Sequence, residues 1–276
     1  MDAKASFQVP VTLWRLLMNR VVLARYREPL DWIKLIPDDF EVIIYNKGDK
    51  IETPGVLQRA ARIIDRPNEG RESETYLHHM LTDVRDDDGF TVYAQGGPFE
   101  HSPDFISLLH TWKNWADLQP MSWQWLSEKN VPPPLLLSEY ERGLFGRPRV
   151  RLERFSLLTW GPIDFIDQGA WGMGSVYRAI HGDLPDGTNI ASHFLNLAGL
   201  EDLASEAERH MVGVFSYGAI FAVRNSRVAS VPQASIDILR NLSVSGIAVY
   251  GYILERLWLH LFGERFALPK LTPAPL

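Results

Sequence analysis

FTVYAQGGPFEH, running from Phe90 to His101, is the stretch that decides the fold: an apolar run stops abruptly on a glutamine, two glycines and a proline. Phe90–Ala94 has the length and the β-branched and aromatic content of a strand. Gln95–Gly97 then ends it, because two glycines permit a tight turn and Pro98 stiffens the exit. The same grammar recurs upstream. Val21–Ala24 (VVLA) ends in Arg25-Tyr26-Arg27-Glu28, Phe40–Tyr45 (FEVIIY) ends in Asn46-Lys47-Gly48, and Ala61–Ile64 stops before Pro67. Between the third and fourth runs, Tyr76, Leu77, Met80 and Leu81 recur at helical spacing. Apolar runs alternating with helices predict an α/β fold with a mainly parallel central sheet flanked by helices. In such sheets ligands lie outside the carboxyl ends of the strands, which is where these polar strings fall.

Farther along, Glu201–Met211 reads as a helix, Gly218–Val223 (GAIFAV) as a strand, and Ser235–Leu242 and Ile247–Phe262 as helices. Trp112, Trp115, Trp123 and Trp125 read as core, and Val131–Pro134 (VPPP) breaks any regular element. Leu135–Phe155 carries Arg142, Arg147, Arg149, Arg151 and Arg154 among Glu139, Glu141 and Glu153, the pattern of a solvated, salt-bridged connection. Gly161–Gly174 is glycine- and aromatic-rich and reads as a loop. With no internal repeat and no boundary signal, a single domain over 1–276 is expected. Within it, 1–20 is an N-terminal helical extension, amphipathic over Val11–Arg20, and 131–198 is an irregular insert.

At 276 residues, 46% apolar and 22% charged, the chain has the composition of a folded globular protein. Its 28 basic and 34 acidic residues leave a net charge of -6, which argues against a general nucleic-acid binder. The absence of cysteine excludes disulfides, thiolate catalysis and cysteine-ligated metals. No stretch reaches the ~20 apolar residues of a spanning helix. Met1–Pro10 lacks the features of a secretory signal, so a cytoplasmic location is the default expectation.

Four places can carry chemistry. Asn68-Glu69-Gly70-Arg71-Glu72 opens the first strong helix, where free backbone N–H groups, the macrodipole and the Arg71 fork suit an anion. The competing reading has Asn68 as a plain helix cap and Arg71 as a surface ion-pair partner. Gln95-Gly96-Gly97-Pro98-Phe99-Glu100-His101 places Gln95 and His101 beside the sheet edge, against the alternative of an ordinary strand-to-helix loop. His78 and His79 are adjacent on a helix, point about 100° apart, and read as surface residues. Glu255 falls on the apolar stripe of its helix with Ala248, Gly251, Trp258, Leu259 and Phe262, while Arg256 and His260 form the polar face. A carboxylate so placed is either a tuned general base or half of a buried ion pair.

These motifs resemble a family of uncharacterised fungal and bacterial domains of unknown function. The matching residues are Arg25-Tyr26-x-Glu28, Tyr45-Asn46-Lys47-Gly48, Asn68-x-Gly70-Arg71-Glu72-x-x-Thr75-Tyr76-Leu77, Gln95-Gly96-x-Pro98-Phe99-x-His101, Gly218-Ala219-x-Phe221-Ala222-Val223 and Glu255-Arg256-Leu257-Trp258. The likeness runs from about Val21 to Gly263, with Leu135–Ala198 matching poorly. That family is in turn similar to GT-A glycosyltransferases, which implies one Rossmann-like domain moving a sugar from a nucleotide-sugar donor to an acceptor hydroxyl.

The resemblance implies a nucleotide contacted by Arg25, Glu28, Asn46, Lys47 and the Asn68–Tyr76 helix start, including Gly70, Arg71, Glu72 and Thr75. It puts the donor sugar on Gln95, Gly96, Pro98, Phe99 and His101, and makes Glu255 the base for an inverting displacement. Where those enzymes carry Asp-x-Asp for manganese or magnesium, this chain has Gln95-Gly96-Gly97. No carboxylate stands there to hold a hard cation. A non-catalytic carbohydrate- or nucleotide-binding protein, and a hydrolase using His101 and Glu255 as an acid–base pair, are the alternatives.

Overall fold

The computed structural model describes residues 19–84, 87–122 and 151–269. The central sheet has six strands, and its first four are β1 (Asn19–Arg25), β2 (Phe40–Asn46), β3 (Arg62–Asp65) and β4 (Phe90–Gln95). The other two are β5 (Leu118–Pro120) and β8 (Phe221–Arg224), in the spatial order β3-β2-β1-β4-β8-β5. β1, β2, β3 and β4 run parallel, while β8 pairs antiparallel with both β4 and β5. Register aligns Arg25 with Asn46 and Ala24 with Gln95, so the polar strand ends lie along one edge. The order reverses between β1 and β4, the topological switch point at which open sheets of this kind bind ligands.

Alternate residues of the parallel strands serve opposite faces. Val22, Ala24, Ile43, Tyr45 and Tyr93 pack under α2 (Arg71–Thr82) and α9 (Val249–Leu261), with Tyr76, Phe221 and Trp258. Val21, Leu23, Val42, Ile44, Val92 and Ala94 face the other layer, with Phe105, Leu108 and Trp115. α1 (Pro54–Arg59) and α3 (Phe105–His110) are single short turns of helix. Because both faces of the sheet are covered, its strands read as nearly continuous apolar runs, and β1 is buried along almost its whole length.

A second, three-stranded antiparallel sheet has the order β6-β7-β9, from β6 (Glu153–Ser156), β7 (His210–Phe215) and β9 (Ala267–Pro269). α4 (Met173–Ile180), α5 (Ile190–Leu197), α6 (Glu201–Glu208), α7 (Asn225–Ala229) and α8 (Gln233–Ser243) complete the described elements.

Several expectations change. The strand starting at Val21 begins at Asn19, so Asn19 and Arg20 are not helical; Val11–Met18 lie outside the described residues. The helix expected to reach Met211 stops at Glu208, and His210 onward becomes the central strand of the small sheet, whose two partners outweigh local helical spacing. The described part of 131–198 is not irregular but carries β6, α4 and α5. Arg154 meets Asp164 on the surface as expected, yet Arg151 is fully buried and bidentate to Asp104 at 2.9 and 2.6 Å. Arg142, Arg147, Arg149, Trp123 and Trp125 lie outside the described residues. His79 is buried against the Tyr45 hydroxyl at 3.0 Å rather than exposed. Arg256 and His260 are also buried, so α9 has no polar face of the expected kind: it is packed on nearly all sides.

Candidate functional site

A cleft of about 220 Å³ opens at the switch point, lined by Ala24, Arg25, Tyr26, Glu28, Lys47, Asn68, Arg71, Glu72 and Gln95. A second of about 270 Å³ lies on the far side of Asn68 and Arg71, against the α8–α9 connection. The strand ends supply Arg25 and Gln95, the start of α2 supplies Arg71 and Glu72, and α9 brings Glu255 close to both. Arg71, Gln95 and the Gly218 turn that His101 touches therefore gather at one end of the sheet.

Hydrogen bonds decide which of the expected side chains are free to act. Lys47 is not: its ammonium donates to the Glu69 and Arg71 carbonyls at 2.6 Å each and pairs with Glu74 at 2.9 Å. It ties down the approach to α2. Asn46 is consumed in the same way, accepting from Arg25 at 2.6 Å and donating to Asp65 at 2.9 Å. Arg25 also donates to the Asp49 carbonyl at 2.5 Å, so it reaches the cleft as wall rather than as an unengaged donor. Glu28 folds back to accept from the Tyr26 and Arg27 amides at 2.7 and 3.1 Å. A Cβ at Gly96 would stand 2.9 Å from that Glu28 carboxylate, so Gly96 is small to admit Glu28. Pro98 is buried, and Phe99 meets the Trp32 ring edge-on at 5.2 Å. Thr75 and Tyr76 are core residues, the Tyr76 hydroxyl donating to the Ala219 carbonyl at 3.2 Å.

The start of α2 is built differently from a simple cap. Asn68 is exposed and does not cap it; the boundary residue is Gly70, at φ 60, followed by Arg71 at φ 52. Two successive left-handed residues are unusual, and the second is not glycine. A Cβ at Gly70 would meet the Glu74 side chain and the Ser243 carbonyl, so its smallness serves packing. The Glu72 carboxylate sits in the first turn of α2 and accepts from the Ser73 hydroxyl at 3.4 Å. That places a protein carboxylate where an incoming anion would otherwise sit.

Arg71, Tyr252, Glu72, Glu255, Gln95 and Gly218 interact in one group at this end of the sheet. The Arg71 guanidinium lies over the Tyr252 ring, 4.8 Å from its centre, and hydrogen-bonding to Tyr252 raises its pKa above the usual value. Glu255 Oε1 accepts from the Gly218 amide at 2.9 Å, and the Gly218 carbonyl accepts from Gln95 at 3.0 Å. Gly218 has φ 66, and a Cβ there would collide with the His101 ring, so only glycine fits on both counts. His101 stands behind this turn, edge-on to Tyr217 at 4.7 Å, and is not part of the cleft lining.

Two carboxyls share this place, and both are pushed above the ordinary carboxylate range. Burial is the main cause for each, and the Glu255 charge raises Glu72 further. The nearest cation to Glu255 is Arg256, whose Nη1 stands 3.9 Å from it while Nη2 closes on Asp167 at 2.6 Å. Glu255 is therefore poorly neutralised, and it retains 15% of its surface.

Among the described residues, no group of three or more His, Asp or Glu side chains clusters in a way that could hold a metal ion. No described helix is long and apolar enough to cross a membrane. The sequence does not single out Tyr252 or Asp167, and Gly218, expected to start a strand, sits instead in a turn before β8. Tyr252 alone left a trace, three positions before Glu255 on one helix face. No protein-family model, curated protein or solved structure matches the chain.

Proposed function

We propose that the protein is a sugar-transferring enzyme of GT-A-like architecture, taking a nucleotide-sugar donor and using Glu255 to deprotonate an acceptor hydroxyl. The observation that carries the reading is Glu255 itself. A desolvated carboxyl with a raised pKa, held by the Gly218 amide and only loosely paired with Arg256 at 3.9 Å, suits a general base. Glu255 does not itself line the cleft of about 220 Å³. It lies near enough to two residues that do, Arg71 and Glu72, for its charge to act on both, which supports a role at the switch point.

In this reading Arg71 and Tyr252 meet the donor, Gln95 fixes the Gly218 turn, and Glu72 accepts hydrogen bonds from sugar hydroxyls. His101 supports the turn from behind. Glu72 already occupies the helix N-terminus, so a diphosphate would be bound chiefly by Arg71.

That same feature, with the small cleft, favours a second reading in which water is the acceptor and Glu72 and Glu255 act as an acid–base pair on a glycoside. Product analysis separates the two. Incubation with a panel of nucleotide sugars, with and without manganese and with saccharide acceptors, should yield an extended acceptor under the first reading. Free sugar alone would support the second. Neither product from any donor or simple glycoside would refute the enzyme assignment and leave a binding protein.

A further inference from the structure

Asp167 lies on the loop between β6 and α4, far in sequence from every residue of the cleft, and it is almost fully buried. Its Oδ2 accepts from Arg256 at 2.6 Å and its Oδ1 from the Ala170 amide at 3.1 Å. Arg256 is wholly buried, stacks on Phe215 with 4.9 Å to the ring centre, and sits next to Glu255 in the chain. A buried guanidinium seeks a carboxylate, and two are within reach. It closes on Asp167 and stands 3.9 Å from Glu255.

We infer that Asp167 is a positioning residue for the candidate base: by engaging Arg256 it keeps that guanidinium off the Glu255 carboxylate, which stays able to take a proton. The inference rests on the reading of Glu255 as a base, but its test does not require turnover. The other groups facing Glu255 are His101 behind the Gly218 turn, Tyr217 on that turn, and Arg71, Glu72 and Tyr76 on α2. None of them moves in the proposal. Arg256 is shared between Asp167 and Glu255. Asp167 also lines a cavity of about 650 Å³ with Pro162, Phe165, Ile166 and Trp171, so Glu255 is tied through one side chain to a region outside the cleft.

The test follows the Glu255 titration by carboxyl carbon NMR in the full chain, assigned by loss of the signal in Glu255→Gln. Asp167→Asn should lower the Glu255 midpoint, since it removes a negative neighbour and frees Arg256 to pair. Arg256→Gln should raise it, since it removes the cation and leaves Asp167. A residue that merely holds the loop together predicts something else: both variants would loosen the site, hydrate Glu255 and lower its midpoint together. Opposite movements support the proposal. Movement in the same direction, or none, overturns it. If Asp167→Asn does not fold, Asp167→Ser takes its place and must lower the Glu255 midpoint, because a rise in Arg256→Gln alone shows only that Arg256 acts on Glu255. Turnover by Asp167→Asn should fall and the acid limb of its pH profile should move to lower pH. Unaltered turnover in Glu255→Gln would sink the assignment of the base while leaving the titration result standing.

Discussion

Replacing Glu255 by glutamine separates a base from a structural ion pair. The amide oxygen can still accept from the Gly218 N–H, which now meets Glu255 Oε1 at 2.9 Å. Exchanging a charge-assisted bond for a neutral one costs about 1 kcal/mol. Against this, a carboxyl whose folded pKa is raised resists ionisation in the native state. The native protein therefore holds its proton more tightly than the unfolded chain. Stability is highest below the ordinary carboxylate range and falls as pH rises through the raised native value. Glutamine removes that loss at neutral pH.

The guanidinium is not stranded either, because Arg256 keeps Asp167 at 2.6 Å. The net change at pH 7 should thus lie within about 1 kcal/mol of zero, which is a few degrees in Tm or less. Turnover should fall by roughly 10²–10⁴-fold. Had Glu255 been the principal partner of Arg256, the same change would cost about 3–5 kcal/mol. Thermal denaturation and product formation on one preparation decide the matter. A large loss of stability, or a stable variant with wild-type turnover, refutes the reasoning.

Arg71→Ala should weaken binding of a nucleotide sugar by about 10-fold or more while changing stability by less than about 1 kcal/mol, since the side chain is exposed and stacked only on Tyr252. Calorimetry reads the first and denaturant titration the second; unchanged affinity would remove Arg71 from the site. Gly218→Ala combines a left-handed backbone with a collision against His101, and should destabilise by about 1–3 kcal/mol as well as displace the amide that holds Glu255. A Tm equal to wild type would show that the turn can relax. His79 and His260, each held at a pKa of about 4 by burial, should make the protein acid-sensitive. The unfolded chain takes up protons near pH 6.5 and the native state does not. Stability should fall as pH drops from about 6.5 toward 4, by up to about 3 kcal/mol per histidine. Denaturant midpoints measured across that range test this, and a flat profile would contradict the burial of both rings.

The half of the fold that sequence made legible is the half with a strong period. β1, β2 and β4 are covered on both faces and read as nearly continuous apolar runs, and α2 shows its stripe through Tyr76, Leu77 and Met80. His210–Phe215 did not read as a strand, because Leu203, Ala204, Ala207 and Met211 prolong a helical spacing and only the two partner strands override it. β5 and β9, three residues each, carry no periodic signal. The site shows the same division. Residue types at the strand ends flagged Arg25, Asn46, Lys47 and Gln95, but type does not say whom a donor already serves. Lys47 and Asn46 are spent internally. Glu255 stood out because a charge on a packed helix is a local anomaly, whereas Gly218 and Asp167 matter only through contacts formed across long stretches of chain.

The bond from Gln95 to the Gly218 carbonyl joins positions 123 residues apart. Closing a loop of that length costs about 4 kcal/mol in chain entropy, more than the bond itself returns. The pairing of β8 with β4 must therefore bring these residues together. Parallel strands β1 to β4 can assemble from nearby sequence, but they yield a cleft wall with Arg25 and Gln95 and no Glu255 beside it. During synthesis the amino-terminal half emerges first and presents that unfinished wall before α9 exists. Non-local pairing of this kind is slow. A ligand that needs both Arg71 and Glu255 consequently binds only the completed chain, so its capture during refolding would time the last docking step rather than the first collapse.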